Sequence, residues 1–156
     1  MSASLYASWM KTDEIKDCNW DRQTCGSSEL LPRSDIPEDL DPELLNFDGL
    51  ERMLQSLASV SVSDWLNGHH NETSTYIFAI DAKSVDHFIA YTKLMLSSAV
   101  NLDKNPALRE KILIPVFGTW EDDDIISIAH VLVRLQKLAR ALEKFPEYSA
   151  IFEIGW

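Results

Sequence analysis

Glycine is scarce and scattered. The chain has five glycines, each isolated, so the Gly-rich cradle that wraps a phosphate group is not encoded. Cysteine is nearly absent too: Cys18 and Cys25 stand alone in a polar N-terminal stretch, too few for the disulfide framework of a small secreted domain. A bridge between them is open on spacing, but reduced thiols are the expectation for an intracellular chain. No apolar run approaches the roughly 18 residues that a membrane span requires. The opening residues, Met1 to Tyr6, lack a basic stretch followed by an apolar one, so no secretory signal is read there. Asn71-Glu72-Thr73 fits a glycosylation acceptor, and without a secretion signal it reads as a chance match. These features together lead to the expectation of an intracellular, cytoplasmic protein, with a nuclear location as the lesser alternative.

Bases are the other deficit. Fourteen Lys and Arg face 25 Asp and Glu, for a formal net charge of −11. Such a surface repels phosphate backbones and anionic lipids, which argues against direct nucleic-acid or membrane binding. It fits a basic protein partner, with the field accelerating encounter more than tightening the final complex. Acidity also keeps a chain soluble without any partner.

What is present is ordinary globular composition, 46% hydrophobic and 25% charged over 156 residues, enough for one domain with a core. Two regions are expected. Residues 1–46 show no sustained period of 3.6 or 2 and are punctuated by Pro32, Pro37 and Pro42. There Asp35, Glu38, Asp39, Asp41 and Glu43 meet no base, which predicts an irregular acidic N-terminal arm. Trp9, Trp20 and Met10 imply that part of this arm is anchored.

Residues 47–156 form the expected helical globular domain. Leu50, Met53, Leu54 and Leu57 recur at helical spacing, with Asp48 as a candidate N-cap. A short helix through Trp65 ending at Gly68, then a polar loop from His69 to Thr73, follow. Thr75 to Ile80 is β-branched and aromatic, favouring a strand, with Ser84 opening a helix to Val100. The rival is one long buried helix from Tyr76 to Val100. Asn105-Pro106 reads as an N-cap with Pro at the first helical position, starting a helix that bends at Pro115 and stops at Gly118. The alternative makes 112–117 a strand. The longest helix is predicted from about Asp123 to Lys144, with an apolar face from Ile125 to Leu142 and charges ordered to suit the helix dipole. Ile151, Phe152, Ile154 and Trp156 pack back as a strand or extended tail. The fold expected is mainly α, a compact helical domain. Its rival is a small three-stranded α/β arrangement of βαβ type, with strands at 76–80, 112–117 and 150–154.

Several clusters invite chemistry. Cys18, Cys25, His69 and His70 are zinc-ligand types, but six residues separate the cysteines where structural sites use two to four. Glu121, Asp122, Asp123 and Asp124 could hold a hard cation, yet a solvated helix N-terminus accounts for them without one. Asp86, His87 and His130 lack a nucleophile elbow to work with. No catalytic, cofactor or metal residues are therefore assigned. Arg134, Lys137, Arg140 and Lys144 follow at spacings of three and four along one helical side, to contact a partner or to pair with the acids at 35–43. The candidate partner-binding residues are these bases, the acids at 35–43 and 121–124, and Trp65 as an aromatic anchor.

One segment carries a family likeness. Lys104, Asn105, Pro106, Leu108, Arg109 and Lys111, after the apolar helix ending Leu96-Ser97-Ser98, resemble a recurring segment of the helical-repeat core of U-box ubiquitin-chain elongation factors. The likeness spans about residues 88–117. It implies stacked helices and a binding role. No U-box follows Lys144, so ligase activity is not implied. The function expected is a non-catalytic protein–protein interaction module, a subunit or adaptor of a larger assembly. The alternatives are an acidic inhibitor or immunity-type protein blocking a basic enzyme such as a nuclease, or a small enzyme or metal-binding domain.

Overall fold

A computed structural model describes residues 4–17, 36–61, 75–102, 107, 110–111 and 124–155. In chain order it contains strand β1 (Ser4–Lys11), a 3-10 turn (Thr12–Asp17) and a second one (Pro42–Leu45). Helix α1 (Glu51–Ser61), strand β2 (Thr75–Ile80), helix α2 (Val85–Leu102), helix α3 (Asp124–Lys144) and strand β3 (Tyr148–Gly155) follow. The expectation of a mainly α fold is overturned: helices share the fold with a three-stranded sheet in the order β1-β3-β2. Both pairings are antiparallel, so the βαβ form of the rival is corrected as well.

The physical reason lies in the connections. Two long helices, α2 and α3, stand between β2 and β3. A parallel βαβ crossover joins two strands through one helix, whereas here two long helices intervene and β3 runs opposite to β2. Two of the strands considered from sequence, 76–80 and 150–154, lie within β2 and β3. The third, 112–117, is outside the described residues, as is most of the helix expected after Asn105, of which positions 107, 110 and 111 are helical. The sheet's third strand is instead β1, in the segment expected to be irregular. Its register with β3 runs from Ser4 opposite Gly155 to Lys11 opposite Tyr148.

One face of the sheet supports the main core. Phe78 and Ile80 of β2, Trp9 of β1 and Tyr148, Ala150, Phe152 and Ile154 of β3 point to it with Phe47, Leu54, Leu57, Phe88, Leu135, Leu138 and Leu142. Phe152 is its centre, stacked on Phe78 at 5.4 Å and meeting the edge of Phe47 at 5.4 Å. The opposite face is buried as well, through Met10, Ile77, Ser149, Ile151 and Glu153. A strand buried on both faces shows no apolar–polar alternation.

Local chemistry sets the helix starts. Asp81 Oδ1 accepts from the Lys83 and Ser84 amides, while Ser84 Oγ accepts from the Asp81 amide at 2.9 Å. This reciprocal box satisfies donors that α2 cannot, so Asp81 caps the helix that Ser84 was expected to open. Asp48 does not cap α1. A turn with Gly49 at φ 80° precedes that helix, and Glu51 turns back to accept from the Gly49 amide. A positive φ suits glycine because it has no Cβ to clash. α3 is as expected, with Ile128, Leu135, Leu138 and Leu142 fully buried.

Two substitutions separate core from cap. Phe152→Ala is expected to lower the unfolding free energy by about 3–5 kcal/mol through lost burial and a cavity. Asp81→Ala removes one cap and is expected to cost about 1 kcal/mol. Urea titration of both variants measures the difference, and equal costs would contradict the central place given to Phe152.

Candidate protein-interaction surface

The segment from Ile36 to Phe47 alternates between anchors and display. Leu40, Leu45 and Phe47 are buried, while Glu38, Asp39, Asp41 and Glu43 are exposed. The hydrophobic side chains hold the backbone against the core, so the carboxylates project from a fixed path. Asp41 fixes it further. Its Oδ1 accepts from the Glu43 amide at 2.9 Å and caps the 3-10 turn, and its backbone carbonyl accepts from Trp9 Nε1 at 3.4 Å. Pro42 follows at the first position of that turn, where a missing N–H costs nothing. Trp9, Ile36, Pro37, Glu38, Leu40, Asp41 and Pro42 enclose an open cleft of about 390 Å³. Trp9 itself is almost fully buried, so it serves as the floor of this segment.

The basic side of α3 lies next to these acids. Lys144 Nζ meets Asp39 Oδ2 at 2.7 Å. Asp41, Glu43, Leu44, Arg134 and Lys137 line one open cleft of about 240 Å³. Acids and bases that the sequence separates by some ninety positions thus share a seam. Arg140 is exposed on the same helix. His130 is exposed on it too.

The remaining candidates separate cleanly. Asp35, Trp65, Glu121, Asp122 and Asp123 lie outside the described residues, and Asp124 contributes the first backbone position of α3. Cys18, Cys25, His69 and His70 also lie outside them. Among the described residues, no group of three His, Cys, Asp or Glu side chains is placed to hold a metal ion. No described helix is long and apolar enough to cross a membrane.

Sequence reasoning missed that Leu40, Leu45 and Phe47 tie the acidic segment to the core. The signal was present in Leu40, Leu44, Leu45 and Phe47 threaded among the acids, but the prolines and charges dominated the composition. Comparison with known proteins adds no relative: no family model, no curated protein and no solved structure matches this chain.

The Lys144–Asp39 pair is 65% and 64% exposed, so its strength is limited by solvent screening. A double-mutant cycle with Lys144→Met and Asp39→Asn is expected to return a coupling below about 1 kcal/mol, vanishing at molar salt. A larger, salt-resistant coupling would mean the seam is closed to water.

Proposed function

We propose that this protein is a non-catalytic interaction module, a subunit or adaptor that presents the carboxylates of Glu38 to Glu43 to a basic protein partner. The observation that carries the reading is the alternation in that segment. Buried Leu40, Leu45 and Phe47 hold exposed Glu38, Asp41 and Glu43 in a fixed arrangement. Binding through a fixed segment avoids the ordering cost that a flexible acidic tail incurs, about 0.5–1.5 kcal/mol for each immobilised side chain. The chain's charge of −11 adds long-range attraction for a cation-rich surface.

Only one of these carboxylates, Asp39, has an ion pair to another described residue. Glu38 and Asp41 line a cleft whose walls include Pro37 and Pro42, rigid residues suited to a recognition surface, and Glu43 is exposed in the neighbouring cleft.

The test is affinity purification of the tagged chain from lysate of its own cells at low and high salt, beside a Glu38→Gln/Asp41→Asn/Glu43→Gln variant. Asparagine keeps the cap acceptor at position 41, so the fold is retained while the charge is removed. A basic partner is expected with the parent chain at low salt, and reduced by about tenfold or more in the variant and at high salt. Equal recovery by both chains, or no specific partner at either salt, would overturn the reading.

A further inference from the structure

The outer line of α3 has a character opposite to that of the chain as a whole. Ile126, His130, Val133, Lys137 and Arg140 follow at intervals of four, three, four and three, the spacing that keeps side chains on one helical seam. All five are exposed, Ile126 at 55% and Val133 at 48%. The N-terminal half of this seam is therefore apolar, with two branched side chains one heptad apart, and the C-terminal half is cationic. No acid lies on it between Ile126 and Arg140. Across α2 and α3 together, five bases stand against three acids, in a chain that is otherwise strongly acidic.

The neighbouring helix extends the apolar character. α2 packs along α3 and exposes Leu94 at 60% and Val100 at 44%. At 100° per residue these two lie on opposite flanks of the outer face of α2. Isolated exposed apolar residues are ordinary, but a collinear set continued into a cationic row marks a docking line.

We propose that the outer seam of α3 docks an acidic amphipathic helix of another protein. The helix would place apolar side chains on Ile126 and Val133 and carboxylates on Lys137 and Arg140. This surface adjoins the acidic segment at Lys137, which lines a cleft with Asp41 and Glu43, while Ile126, Val133 and Arg140 are not among the residues lining that cleft. A second copy of the chain fits the seam poorly. An antiparallel self-pairing sets Arg140 against Ile126 and Lys137 against His130, a parallel one sets base against base, and neither supplies a carboxylate. An anionic membrane would also satisfy apolar and cationic groups, but its extended negative plane meets the whole field of a −11 chain, whereas a narrow helix meets mainly the local one.

The experiment titrates the full chain with two synthetic helical peptides about as long as α2. Both carry leucines one heptad apart, with Glu at the flanking positions of one peptide and Lys at those of the other, read by calorimetry near 0.15 M salt (Debye length about 8 Å) on the chain carrying Glu38→Gln/Asp41→Asn/Glu43→Gln, which removes the carboxylates that would themselves take up the Lys peptide. The Glu peptide is expected to bind at least about tenfold more tightly than the Lys peptide. Val133→Asp is expected to weaken it by about tenfold, and Lys137→Glu/Arg140→Glu to reverse the preference. These positions are exposed, so circular dichroism of each variant is expected to match the parent. No binding of the Glu peptide, preference for the Lys peptide, or indifference to Val133→Asp would overturn the proposal. Sedimentation of the parent with phosphatidylserine vesicles, abolished by Val133→Asp, would reassign the seam to a membrane. Self-association abolished by the same substitution would reassign it to a second copy. These outcomes leave the acidic-segment reading untouched, because the Glu38, Asp41 and Glu43 variant reports on that separately.

Discussion

Pairing of the last described strand with the first holds the fold together. β3 lies between β1 and β2 and is buried along nearly its whole length on both faces, from Tyr148 to Ile154. Ser4 sits opposite Gly155 and Lys11 opposite Tyr148, so the sheet requires the two ends of the chain to meet. Thr12 and Ser149 reinforce that meeting with a hydroxyl pair at 2.7 Å. The entropy of closing such a loop grows only logarithmically with its length, so the arrangement is affordable at equilibrium. It delays the last step of assembly, because β3 gains most of its burial only when both partners arrive. Phe152 draws on all of it: Phe78 comes from β2, Phe47 from the segment after the acids, and the three rings meet where sheet and helices join.

This constraint explains which parts of the fold were legible in the sequence. Helices carry their signal locally. The apolar series in α1 and the long face of α3 were readable because a 3.6-residue period survives without knowledge of the partner. Of the described strands, β2 was favoured by its β-branched and aromatic residues, but the other two carry a weaker local signal. β3 is buried on both faces, so Ile151 and Phe152 are both apolar and no alternation marks the segment. β1 does not alternate either, since Trp9 and Met10 are both buried and Ala7 and Ser8 are small. None of the strands is joined to its neighbour by a hairpin, which removes the turn signature that would have tied them together. A tally of local periods therefore favoured helix and undercounted the sheet. The candidate site was legible in composition, since acids at 38–43 and bases at 134–144 stood out. Their adjacency was one of the two readings open for the bases, and the Lys144–Asp39 pair realises it, while the particular partners depend on how the segment packs on the core.

The acidic segment gains its order from the same core. A stretch rich in prolines and carboxylates would be solvated if it stood alone. Leu40, Leu45 and Phe47 change that by contributing buried surface each time the chain returns inward, while Trp9 of β1 holds the Asp41 carbonyl. Full burial of such a side chain stabilises by roughly 1.5–3 kcal/mol, which exceeds the backbone entropy of about 1–2 kcal/mol for fixing one residue. Three such anchors within eight residues offset part of the entropy of ordering the runs between them, and the Asp41 cap and the Trp9–Asp41 hydrogen bond add to it. The charge on display is thus a consequence of the packing beneath it.

Charge on the described surface is consequently distributed by structure more than by sequence. The acids nearest α3 meet its bases at one edge, where Asp39 holds Lys144 and where Asp41, Glu43, Arg134 and Lys137 share a cleft. That edge is locally close to balance, and exposed pairs there contribute little stability, so neither side is neutralised firmly. Beyond it Glu38 continues the acidic segment, while exposed Ile126 and Val133 give the outer seam of α3 an apolar start. Within a Debye length of about 8–10 Å each surface presents mainly its own sign to an approaching group. At longer range the whole chain is negative. A basic partner is therefore drawn from a distance, whereas an acidic one must reach the seam before it is attracted. Any two such partners would differ in salt dependence of opposite sense, since screening slows the first encounter and assists the second.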